Sequence, residues 1–123
     1  MRNETNTWDF DFNDADKLLD WCVDKYGMSK YHDDIPWLDF NQDDLGIMGE
    51  YQADSNTVII YPDYIKSYDD LVETIIHEFQ HYLQSPMWFE RYYNMGHSYD
   101  THPYEIYAET ISSNDKKLLL NKA

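Results

Sequence analysis

An α+β fold, with a small antiparallel sheet and helices packed on one of its faces, is the class this sequence predicts. Three features lead there. A helical repeat occupies an early segment, two short apolar or β-branched segments flank a turn-forming tetrapeptide in the middle, and further helical stretches follow. A chain of 123 residues is long enough for one hydrophobic core and too short for two, so residues 1–123 are expected to form a single domain. The core candidates are rich in rings, with 12 Tyr, 5 Phe and 4 Trp, and large rings bury much area in a small domain.

From about Asp14, the spacing of Ala15, Leu18, Leu19, Cys22, Val23 and Tyr26 follows a helical period, and Gly27 supplies a stop. Residues 1–12 are polar and acidic with interspersed Trp8, Phe10 and Phe12; they read as an arm pinned by its rings or as a frayed end. Asp33 to Leu45 has no clear period and contains a Pro and two Asp pairs, so it reads as a loop carrying Trp37 and Phe40 inward. Ile47 to Gln52 and Thr57 to Tyr61 read as strands of a hairpin around Ala53-Asp54-Ser55-Asn56, closed by Pro62. A helix starts after Ser67, which caps it with Asp70 three residues on, and runs to about Gln84. A short helical piece through Met87 to Tyr93 follows. The last helix begins at Pro103, a residue suited to the first helical position, and continues towards Leu120.

Charge narrows the function classes. With 24 acidic residues against 9 Lys and Arg, the formal charge is -15, which repels nucleic-acid phosphates and anionic membranes and argues against both as partners. The N-terminus lacks the basic start and apolar stretch of a secretory signal, and no transmembrane run appears, so a cytoplasmic or other intracellular location is expected. The single Cys22 has no intrachain partner and lies on a helix face, as a buried structural thiol would.

The helix after Ser67 carries His77-Glu78-Phe79-Gln80-His81, an HExxH pattern. Four residues advance a helix by slightly more than one turn, so both imidazoles project from one face and can take neighbouring positions on a metal ion. Glu78, about a quarter-turn away, is placed to accept a proton from a metal-activated water rather than to ligate. Leu71, Val72, Ile75, Ile76, Phe79 and Leu83 lie on the opposite side, which leaves a plainer reading in which the histidines merely face solvent. A catalytic zinc needs a third protein ligand and an open position. Glu105 and Glu109, four apart on one face of the last helix, offer one carboxylate for the metal and one to accept a hydrogen bond from a ligating histidine.

The two motifs together resemble those of the gluzincin zinc peptidases, of which thermolysin is a large member. His77-Glu78-Phe79-Gln80-His81 matches the first motif, and Glu105-Ile106-Tyr107-Ala108-Glu109 looks like the second. The resemblance covers about residues 47–112. It implies one zinc per chain held by His77, His81 and Glu105, with Glu109 partnering His77, Glu78 as base and then acid, and a peptide or protein substrate. It also implies that the hairpin matches the family's sheet, whose edge strand binds an extended peptide. The chain has no room for the second domain that supplies a transition-state histidine in the large members. Tyr92, Tyr93, His97, Tyr99 and His102 lie between the motifs as local candidates to stabilise an oxyanion, with His97 and Tyr99 foremost. His97 or His102 are also alternative third ligands. The metzincin pattern is excluded because it requires Gly at Gln84 and His at Met87. Two other functions compete: a non-catalytic zinc module of the same fold, and an acidic protein that mimics DNA.

Overall fold

The computed structural model describes residues 11–42 and 46–120. In order, these form α1 (Phe12–Tyr26), β1 (Trp37–Phe40), β2 (Gly49–Gln52), β3 (Thr57–Ile60), a 3-10 turn (Pro62–Tyr64), α2 (Tyr68–Leu83), α3 (Pro86–Asn94) and α4 (Pro103–Leu120). The expected α+β class holds, with four helices and a small three-stranded mixed sheet among the described residues.

Helix α1 begins earlier than its apolar period indicates. Asp11 Oδ1 accepts the Asp14 N–H and Asp14 Oδ2 accepts the Asp11 N–H, each at 3.0 Å, so two otherwise orphaned donors are satisfied reciprocally. Asp11 and Phe12 therefore belong to the helix rather than to an arm, and residues 1–10 lie outside the described residues. Gly27 ends the helix at φ 82°, a conformation that costs other residues a clash at Cβ. Ala15, Leu18, Leu19 and Cys22 face the core. Burial pushes the Cys22 thiol well up, as expected of an inert structural cysteine.

The sheet order is β1-β3-β2. β2 pairs antiparallel with β3, with Gly49 opposite Ile60 and Tyr51 opposite Val58, which is the expected hairpin. β1 pairs parallel with the other edge of β3, from Trp37 beside Thr57 to Phe40 beside Ile60. This corrects two expectations: the sheet is mixed rather than wholly antiparallel, and the stretch read as a loop contains a strand. Strand geometry also corrects the placement of Trp37. Side chains alternate between faces, so Leu38 and Phe40 pack towards the core while Trp37, three residues before Phe40, stands 71% exposed. Asn56 turns the hairpin at φ 50°, in the left-handed region that Asn tolerates. Its amide donates to the carbonyls of Asp34 and Ile35, tying the turn to the approach to β1.

Helix α2 is the centre of the fold. Ser67 Oγ accepts the Asp70 N–H at 3.1 Å, as expected from the sequence, and the helix packs on α1, on β2 and β3, and on α4. Leu71, Val72, Ile75, Ile76 and Phe79 are sealed in the core. The backbone of β2 approaches α2 closely at Gly49, where a Cβ would meet Ile59 O and Thr74 Cγ2, both at 2.8 Å. α4 runs antiparallel to α2: Gln84 reaches the Tyr104 carbonyl at one end, and Lys116 pairs with Asp69 and Glu73 at the other. Glu105, Ala108 and Ser112 form its buried stripe, and the small side chains at the last two positions let the helices approach. Among the described residues no helix is long and apolar enough to cross a membrane.

Because the backbone oxygen of Ile59 cannot move without disturbing the β2–β3 pairing, Gly49→Ala should destabilise the protein by about 1–3 kcal/mol. Urea unfolding should show a lower midpoint with an unchanged slope.

Candidate metal centre

The two histidines come from the stripe of α2 that faces α4 and a cleft of about 800 Å³. Ligand atoms of His77, Glu78 and His81 all lie within 4.8 Å of one another, a cluster that could hold a metal ion. Glu105, in the first turn of α4, enters from the other side. Its Oε1 lies 3.3 Å from His77 Nε2 and 2.9 Å from His81 Nε2. Both imidazoles thus aim the same ring nitrogen at one carboxylate oxygen. Ligand atoms around a tetrahedral zinc stand about 3.3–3.5 Å apart; the His77 separation meets this and the His81 separation is a few tenths short. Two imidazoles and a carboxylate also suit zinc chemically, so the residues fit such an ion.

Partners on the far side of each ring matter as much. Glu109 Oε1 lies 3.7 Å from His77 Nδ1, close to hydrogen-bonding range. His81 Nδ1 meets Gln84 Oε1 at 2.7 Å, and Gln84 Nε2 in turn donates to the Tyr104 carbonyl at 3.2 Å. Gln84 was not a candidate from sequence, where it served only as the end of a helix. The available signal was weak: a polar residue three positions after His81, one turn along the same face.

Electrostatics follow from burial. Burial alone would raise the Glu105 carboxyl, but hydrogen bonds with His77 and His81 outweigh it and hold the group down at about 2. Burial alone would lower the His81 imidazole, whereas the hydrogen bond with Glu105 and the charges of Glu78 and Glu105 leave it raised. Glu78 is raised by its burial, with Glu105 and Glu50 adding to the effect and the two histidines opposing it. A carboxylate raised in this way is a stronger base than an exposed one.

The remaining candidates separate. Tyr99 lines the cleft, and desolvation together with Glu105, Glu109 and Glu78 pushes its phenol up to about 12, leaving it a neutral donor at pH 7. His97 does not line the cleft; its Nδ1 faces Thr101 Oγ1 at 3.2 Å. His102 is fully buried among Phe89, Tyr92 and Tyr93. Its Nε2 donates to the Phe89 carbonyl at 2.8 Å and its Nδ1 accepts the Tyr104 N–H at 3.1 Å, so both nitrogens are committed to the entry into α4. Tyr92 and Tyr93 belong to the same aromatic cluster.

In the metal-free protein the contribution of Glu105 is fully present above its ordinary pKa of 4.5 and is lost as pH falls towards 2. That of His81 is fully present below its ordinary 6.5 and is lost as pH rises through its raised value. The stability gap between wild type and Glu105→Gln, measured by thermal unfolding in chelator, should therefore be largest between these limits. The affinity of any metal ion held by these imidazoles should run the other way and rise with pH, because ligation requires neutral rings. Compared with protein-family models, curated proteins and solved structures, the chain gives no significant match, so the reading of this centre rests on its own geometry.

Proposed function

We propose that this chain is a zinc-dependent metallopeptidase of the gluzincin type. The observation that carries the proposal is the convergence of His77 Nε2 and His81 Nε2 on Glu105 Oε1 with Glu78 buried beside them. In this reading His77, His81 and Glu105 hold one zinc ion, and Glu109 accepts from His77 Nδ1 to fix that ring. A bound zinc supplies Lewis acidity, polarising a peptide carbonyl and making a water molecule acidic at neutral pH. Glu78 takes a proton from the attacking water and passes it to the departing amine, serving as base and then as acid. Tyr99 donates to the oxygen on which negative charge develops.

The cleft also bears on substrate. β2 is an edge strand whose residues Gly49, Glu50 and Tyr51 line it, in position for an extended peptide to pair with the open edge. β3 is the central strand, so β2 is the hairpin strand that leaves an edge open on this side. Glu50, Asp54, Asp70, Glu73 and Glu90 line the same cleft, and no Lys or Arg does among the described residues. Such a lining favours peptides with cationic side chains by electrostatic steering. Buried Glu78 distinguishes this reading from a structural zinc module, which closes its coordination shell and has no use for a free carboxylate beside the metal.

Protein purified without added metal should contain about one zinc per chain by elemental mass spectrometry, and His77→Ala should contain almost none. Glu78→Gln should keep the zinc while turnover of a peptide library falls by about 100-fold or more; wild-type turnover in that variant would refute the mechanism. Tyr99→Phe should lower kcat by about 100-fold with KM nearly unchanged, the pattern expected of a contact made only in the transition state.

A further inference from the structure

Helix α2 ends one turn beyond His81, at a residue whose side chain touches that histidine and the backbone next to Glu105. Gln84 is 9% exposed, and its amide is fully engaged: Oε1 on His81 Nδ1 at 2.7 Å, Nε2 on the Tyr104 carbonyl at 3.2 Å. Tyr104 is the residue immediately before Glu105. One side chain therefore bridges a histidine of α2 to the backbone that delivers the carboxylate of α4.

The polarity of this bridge can be deduced rather than assumed. A backbone carbonyl only accepts, so the amide group facing Tyr104 O must be the NH₂, and the oxygen then faces His81. An amide oxygen also only accepts, which requires the proton of His81 to sit on Nδ1. In the neutral ring the lone pair is then on Nε2, the atom aimed at Glu105 and at the cluster. The Tyr104 carbonyl thus sets the amide, and the amide sets the tautomer of the histidine.

We propose that Gln84 is a positioning residue for the metal: it locks His81 in the tautomer that ligates through Nε2 and ties that ring to the turn carrying Glu105. This rests on the metal-centre reading above. His77 has a different partner, the Glu109 carboxylate at 3.7 Å. The outer nitrogens of the two rings thus face different groups: for His77 a carboxylate near the mouth of the site, beyond hydrogen-bond distance, and for His81 a neutral amide, buried at the helix end and hydrogen-bonded to the ring. An amide suits this place because it provides an acceptor for the ring and a donor for the carbonyl at once, whereas a carboxylate would repel the carbonyl.

The test measures zinc binding to the metal-free full-length chain by competition with a chelating dye, for wild type and Gln84→Met. Methionine has similar length and no hydrogen-bonding capacity for the bridge. The expected result is a 10–100-fold loss of zinc affinity in a variant that circular dichroism reports as folded. Unchanged affinity in the folded variant would overturn the proposal. A wild-type chain that binds no zinc would overturn the metal centre itself and this proposal with it, an outcome that differs from the first because it appears without any substitution. Nitrogen-15 imidazole spectra of the zinc-loaded wild type give a second readout, independent of whether Gln84→Met folds. His81 should show a slowly exchanging Nδ1–H and a ligating Nε2, while the reverse assignment or rapid Nδ1–H exchange would refute the assignment of Gln84. A purely structural Gln84 would lower thermal stability without moving either quantity.

Discussion

At the seam between α2 and α4, three ionisable side chains, His77, His81 and Glu105, are removed from water together. Burying charge is expensive, and mutual attraction offsets the expense only when geometry and remaining hydrogen bonds are good. The rest of the seam serves that requirement. Ala108 and Ser112 keep α4 close to α2. Lys116, held by Asp69 and Glu73, anchors one end, and Gln84 on the Tyr104 carbonyl anchors the other. A slip of α4 by one helical turn, about 5.4 Å, would carry Glu105 away from both imidazoles and part Lys116 from Asp69 and Glu73.

The same arrangement explains why the HExxH pattern sits on the most buried helix among the described residues. α2 touches the sheet, α1 and α4 at once, so its residues from Leu71 onward have little freedom to repack. Rigidity of this kind is what a coordination site needs, since ligands must be held within a few tenths of an ångström of their working positions. Carboxylates crowd this region: Glu50, Glu78, Glu105 and Glu109 all face the cleft. A cation bound among them would relieve repulsion that the metal-free chain, with its net charge of -15, otherwise bears.

The aromatic residues between the motifs divide according to where the chain must turn. His102, with Phe89, Tyr92 and Tyr93, fills the space between α3 and the start of α4. It satisfies one of the orphaned N–H groups at the beginning of α4, as a capping side chain does. Tyr99 comes from the loop just before this helix and lines the cleft, whereas His97, two residues earlier, does not. A loop that must reverse direction cannot present every side chain to the same site.

Local chemistry was legible in the sequence. The HExxH spacing, the Ser67 cap, the Pro103 start and the Glu105–Glu109 pair each depend on residues within one or two helical turns, and helical geometry is nearly the same wherever a helix occurs. The core face of α1 and the hairpin of β2 and β3 follow from short-range periods in the same way. What depended on distant partners was decided by tertiary structure alone. β1 is four residues long, and its parallel partner comes from beyond the β2 hairpin strand, so no adjacent turn announced it. The exposure of Trp37 followed from that pairing. Gln84 looked like the end of a helix until α4 brought the Tyr104 carbonyl to its amide, and which of Tyr99 and His97 lines the cleft waited on the path of a loop. Spacing along a helix determines which groups can point the same way; packing between helices determines what they meet.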